Sequence, residues 1–188
     1  EQGQARMVLE GSPELVLPDL VARFAITEVS TTFTPGSQER KTLAYLDQKL
    51  PVPLQVHRGN SLFEPSDLPF ELEDLPKVFS GFRRAVEKLN VRGPSPSTEI
   101  LPPPPAAQFD AIPPADTSKP TMLPLPGGRS AGLRRLRQFV FDDRSITQYK
   151  ETRNCLDALD GSSTLSPWLA NGNLSVREVA HEVFRFER

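Results

Sequence analysis

Apolar residues recur at helical spacing in several separate stretches. Leu15, Val16, Leu20 and Phe24 share one side of a helix over residues 13–24. Leu43, Leu46 and Leu50 do the same for residues 37–49. Val78, Phe79, Phe82, Val86 and Leu89 form a stripe along a helix expected over 75–89. Between these helices, residues 25–33 and 53–57 read as short strands, the first partly exposed because of its threonines. A strand, a helix and a second strand in that order predict a parallel sheet of the α/β class.

The pattern changes at residue 91. Prolines cluster from Pro94 through Pro102, Pro103, Pro104 and Pro105 to Pro126. Such a stretch cannot be helical and favours extended polyproline II, so residues 91–127 read as an interdomain linker. Helical patterning returns over residues 132–141, with Leu133, Leu136 and Val140 inward and Arg134, Arg135 and Arg137 on a solvated face. Ser166-Pro167 marks a further helix start, and Gly172 suits its end. Ser175-Val176-Arg177-Glu178 has the spacing of a capping box, and Val176, Val179, Ala180, Val183 and Phe184 follow as an amphipathic stripe.

Composition narrows the classes. The chain has 188 residues, with 22 basic and 24 acidic ones. A balanced charge with no marked basic patch gives no support of its own for nucleic-acid binding. One cysteine excludes an internal disulfide and fits a reducing, intracellular compartment. No apolar run is long enough to span a membrane. His57 and His181 lack partners at metal-ligand spacing, and no motif for metal or acyl-transfer chemistry occurs.

The candidate chemistry sits near the end. Ser162, Ser163, Thr164 and Ser166 gather at a helix start, with Lys150 and Arg153 close by in sequence. Unpaired N–H groups at a helix start attract phosphate, and hydroxyls and cations add to that attraction. Two readings fit these residues: a cradle for a phosphate-bearing cofactor, or ordinary helix caps and a turn.

A longer pattern of residues runs through this stretch. Tyr149-Lys150-x-Thr152-Arg153-Asn154 is followed by Ser162-Ser163-x-x-Ser166-Pro167-Trp168-Leu169-Ala170-x-Gly172-x-Leu174-Ser175-x-Arg177. This resembles the start of the flavin-binding domain of the photolyase/cryptochrome family, and is most similar to its cryptochrome DASH branch. Upstream, Gly11-Ser12-Pro13-Glu14 looks like the helix entry of that family's N-terminal domain. Asp67-Leu68-Pro69-Phe70 with Leu75-Pro76-x-Val78-Phe79-x-x-Phe82-Arg83 looks like its closing segment.

The resemblance implies a fold: part of a Rossmann-like parallel sheet domain over 1–90, a proline-rich linker over 91–127, and the start of an all-α FAD-binding domain over 128–188. It implies an internal fragment, with family elements both ahead of Glu1 and after Arg188. It also implies that Tyr149, Ser162, Ser163, Thr164, Leu165 and Ser166 contact FAD around its diphosphate, with no catalytic residue and no metal ligand in this stretch. The implied activity is that of a deoxyribodipyrimidine photo-lyase, absent from the fragment alone. Light drives an electron from reduced FAD to a cyclobutane pyrimidine dimer in single-stranded DNA. A blue-light photoreceptor without repair, and an interaction protein that has lost its flavin, are the alternatives. DNA is the implied partner, the protein is expected to be a monomer, and Trp168 is expected to serve packing.

The resemblance also departs in places. The branch binds a folate antenna, methenyltetrahydrofolate, with the help of an acidic residue. This chain has Thr31-Thr32-Phe33-Thr34-Pro35 in that region, so the folate is carried over less firmly than FAD. Cys155 stands where the branch commonly has glycine, and Val176 replaces the proline before Arg177.

Overall fold

The computed structural model of the chain describes residues 9–95, 125–155 and 161–188. Most of the proline-rich linker lies outside the described residues. Packing divides the chain into two compact units, Glu1–His57 with Ser95–Pro124, and Arg58–Pro94 with Leu125–Arg188. Residues 58–94, grouped by sequence with the α/β segment, therefore pack with the C-terminal helices.

The first unit is a β-α-β arrangement preceded by a helix. Helix α1 spans Pro13–Phe24 and α2 spans Ser37–Lys49, both over the residues that their apolar spacing predicts. Pro13 opens α1, where a missing N–H costs nothing. Ala25 closes it in the left-handed region at φ 47°, with its N–H bonded to the Val21 carbonyl. Strands β1, Val29–Thr32, and β2, Leu54–His57, pair in parallel with Val29 opposite Leu54 and Thr32 opposite His57. Parallel strands require a crossover, and α2 supplies it. The Thr42 hydroxyl on α2 donates to the Glu14 carboxylate on α1 at 2.5 Å. Val21 and Leu46 are the buried anchors. Beside them lies an apolar cavity of about 560 Å3, lined among others by Leu9, Val16, Leu20, Val29, Leu43 and Leu54.

The second unit begins with two single 3-10 turns, Pro65–Asp67 and Leu72–Asp74, and helix α3, Phe79–Val86. The helix expected from Leu75 starts four residues late. Pro76 holds Leu75 at ψ 125°, outside the helical region, so the backbone turns helical only after Val78. Val78 and Phe79 are therefore exposed, and Val86 is the member of the predicted stripe that is buried.

The remaining helices form the main core. Helix α4 runs from Arg129 to Arg137 and continues as a π-helical turn over Gln138–Asp142. A 3-10 turn at Ser145–Gln148 leads into α5, Tyr149–Thr152. Helix α6 is Ser166–Ala170 and α7 is Val176–Glu187. Leu136, Phe139, Val140, Leu165, Trp168 and Leu174 pack together at 5% exposure or less. Leu133, expected inward, faces solvent instead.

Candidate functional site

The loop from Gly161 to Leu165 is held by its own carbonyl groups. The Thr152 hydroxyl at the end of α5 lies 2.9 Å from the Gly161 carbonyl and 3.1 Å from that of Gln148. Gly161 is buried, and a Cβ there would sit 3.1 Å from the Thr152 carbonyl oxygen, so glycine suits this close approach. From α4, Arg135 donates through Nη2 to the Ser162 carbonyl and through Nε to the Ser163 carbonyl, each at 3.0 Å. The same Nε lies 3.0 Å from Thr164 Oγ1, and that hydroxyl donates to the Ser163 carbonyl at 2.7 Å. Leu165 closes the loop by inserting into the core.

These bonds sort the expected contact residues by what they have left to offer. Among the described residues, the hydroxyls of Ser162, Ser163 and Ser166 form no hydrogen bond with the protein. Thr164 spends its hydroxyl proton inside the loop and sits at φ 53°, a left-handed conformation that disfavours a β-branched residue. Ser166 is the first residue of α6 rather than its cap; Leu165 precedes the helix and supplies its first carbonyl acceptor. Tyr149 opens α5, half exposed, with its ring edge-on to Phe139 at 6.2 Å. The Arg135 guanidinium lies 5.9 Å from the same Phe139 ring, so Phe139 links Tyr149 to the group that straps the loop.

Arg135 is the site residue that sequence reasoning missed by placing it with the solvated arginines. Its signal was the helical period, which sets it between the buried Ala131 and Phe139 at four-residue steps.

The corner after α6 is fixed by backbone bonds, with the Asn171 side-chain amide donating to the Pro167 carbonyl and Arg129 to that of Asn173. Gly172 at φ 66° donates to the Leu169 carbonyl at 3.1 Å, and Asn173 donates to that of Trp168 at 2.8 Å, a Schellman motif. Ser175 then caps α7 by accepting the Arg177 N–H at 3.3 Å. Glu178 does not return the bond to Ser175 that the capping-box spacing predicts. It pairs with Arg129, through bonds of 2.9 and 2.5 Å, which raises the guanidinium pKa further. Trp168 is buried, with its indole N–H on the Pro126 carbonyl at 3.2 Å.

A profile described as DNA photolyase matches residues 1–106, more than half of the chain. The chain belongs to the DNA photolyase family. Relatives that it matches include cryptochromes of the DASH branch. Cryptochrome DASH of Gloeobacter violaceus is 34% identical over 98% of this chain and 39% of its own length. The chloroplastic/mitochondrial cryptochrome DASH of Oryza sativa is 33% identical over 100% of this chain and 38% of its own length.

Among solved structures, the cryptochrome of Synechocystis sp. PCC6803 superposes with a TM-score of 0.86 at 31% identity. That match covers 99% of this chain and 41% of the cyanobacterial one. A class III photolyase from Agrobacterium tumefaciens shares the fold at a TM-score of 0.78 and 24% identity, over 96% of this chain and 39% of its own. The chain thus spans about two fifths of the length of the relatives it matches. The α/β class and the family expected from the motifs are those found. No helix among the described residues is long and apolar enough to cross a membrane, and no group of potential metal ligands occurs among them.

Proposed function

We propose that this chain supplies one wall of an FAD site in a blue-light flavoprotein, with the loop Ser162–Ser166 and Tyr149 as its contacts. The observation that carries the reading is the loop itself. Its carbonyls are taken up by Arg135 and Thr152, while the hydroxyls of Ser162, Ser163 and Ser166 stay unbonded among the described residues. Carbonyl oxygens repel an anion and hydroxyls attract one, so this arrangement fits a diphosphate. Lys150 and Arg153, exposed on and just after α5, add positive charge. The first unit then forms part of the family's α/β domain, and the helices from Arg129 onward, with 58–94 packed on them, form the start of its helical flavin domain.

FAD supplies the photochemistry when bound; the residues of this chain bind the diphosphate and orient the cofactor. The whole protein's activity is then light-driven repair of cyclobutane pyrimidine dimers, with single-stranded DNA as substrate. A lesion read in this way is flipped out of the strand. The names of the relatives favour a second reading, a photoreceptor that uses the same pocket for flavin photoreduction.

The test is an absorption spectrum of the complete protein purified in the dark, followed by blue light with dimer-containing single strands. A flavin band with light-dependent loss of dimers is the expected result. Photoreduction with the dimers intact supports the photoreceptor. A colourless protein that takes up no added FAD overturns the flavin reading.

A further inference from the structure

We infer that Arg135 is a positioning residue that aims the loop's backbone N–H groups at the bound anion. The inference rests on the flavin reading above and assigns a role to a side chain that need not touch the cofactor. Both peptides concerned are trans, and in a trans peptide the carbonyl and the following N–H point in opposite directions. Arg135 takes the Ser162 and Ser163 carbonyls on one side of the loop. The N–H groups of Ser163 and Thr164 therefore point to the other side, next to each other. Neither donates a bond to the described residues. Two adjacent N–H groups facing one way make an anion-binding concavity.

The same guanidinium holds Thr164 in its left-handed conformation, through Nε to Oγ1. A planar fork can reach three acceptors at once; a lysine ammonium in the same place is a point charge and cannot hold that geometry. Arg135 is half-buried on α4, a helix anchored by Leu136 in the core, so the strap is fixed from behind.

The experiment compares Arg135→Gln and Arg135→Lys with the parent in the complete protein. Arg134→Ala is the control, since Arg134 is exposed on the same helix and its loss removes equal charge. Two quantities are read: FAD affinity by titration, and amide hydrogen exchange of residues 162–165 in the flavin-free protein. Both Arg135 variants are expected to bind FAD about tenfold to a hundredfold more weakly, and to exchange faster in the loop, while Arg134→Ala does neither. The failure of Arg135→Lys to rescue is what separates the strap from simple charge. Parent-like affinity and exchange in both Arg135 variants overturns the inference. If the parent itself takes up no FAD, the flavin reading fails, and the exchange measurement still decides the strap. If the Arg135 variants do not fold, Thr164→Val decides. A loss of FAD affinity of about three- to tenfold with an unchanged Tm supports the strap, and unchanged affinity overturns it.

Discussion

Arg177 on α7 reaches back 113 residues to Glu64, with Nη2 2.7 Å from Oε1 and both side chains largely buried. Its Nε also donates to the Leu62 carbonyl at 3.4 Å. Removing one member strands the other charge in a partly dry site, which costs about 2–3 kcal/mol. Glu64→Leu and Arg177→Met should each lower stability by that amount. The double variant should recover most of it, because two apolar groups desolvate without penalty. Chemical unfolding of the four proteins measures this; additive losses would show that the pair is not coupled.

Asp67 sets an acid limit on the same segment. The Glu64 N–H, at 2.8 Å, holds its carboxyl below the ordinary value of 3.8. Partial burial works against this, and the Arg92 and Arg177 guanidiniums add to it. The folded protein thus prefers the ionised form more than the unfolded chain does. That contribution is present above pH 3.8 and is lost as pH falls through the lower, folded value. Urea midpoints of the parent and Asp67→Asn should differ at pH 7, and the gap should close as pH falls below 3.8 through the lower, folded value. A constant gap would rule Asp67 out as the acid-sensitive group.

Gly132 on α4 faces two buried side chains. A methyl group there would lie 2.9 Å from Trp168 Cγ and 3.0 Å from Leu174 Cγ. Alanine improves helix propensity by about 1 kcal/mol. The clash with an indole fixed at Pro126 outweighs that gain, so Gly132→Ala should be net destabilising by about 1–2 kcal/mol. A raised Tm would mean that Trp168 can move aside.

Ala25 offers the opposite case. It is exposed, it closes α1 in the left-handed region, and its methyl group gains no packing for the conformation it adopts. Ala25→Gly should stabilise the protein by about 1 kcal/mol. Thermal unfolding checks it, and a neutral or negative shift would contradict the strain assigned there.

Ser163→Ala and Ser166→Ala test the cradle directly. Each hydroxyl bond to a charged oxygen is worth about 1.5–3 kcal/mol, so each variant should weaken FAD binding by at least tenfold. Flavin retained through gel filtration at the parent level in both variants would remove these serines from the site. Trp168→Phe, which deletes the N–H bonded to Pro126, should lower the Tm and leave flavin photoreduction intact.

The sequence made some of this legible and hid the rest for physical reasons. α1 and α2 were readable because apolar residues recur at helical spacing along each of them, and Pro13 stands at the start of α1. The hydroxyl loop was readable because its residue types stand side by side in the chain. The start of α3 was misread because Pro76 overrides the apolar spacing that spans it. Glu178 and Arg135 were misread for a common reason. Each takes a partner far away in sequence, Arg129 for one and the 162–164 loop for the other; periodicity can put Arg135 on the buried side of α4 but cannot name its partner. The grouping of residues 58–94 with the C-terminal helices depends on the same kind of long-range contact, including His181 against the Val91 and Arg92 carbonyls at 3.2 and 3.1 Å.

The second unit is discontinuous along the chain, and this sets a timetable for synthesis. Segment 58–94 leaves the ribosome long before the helix that covers it. At about 5–20 residues per second, the 113 residues from Glu64 to Arg177 take roughly 6–23 s to translate. From their own synthesis until the end of that interval Val86 and Val91, which end up buried, have no finished unit to enter. The cover for this segment is therefore completed only when α7 emerges and Arg177 captures Glu64.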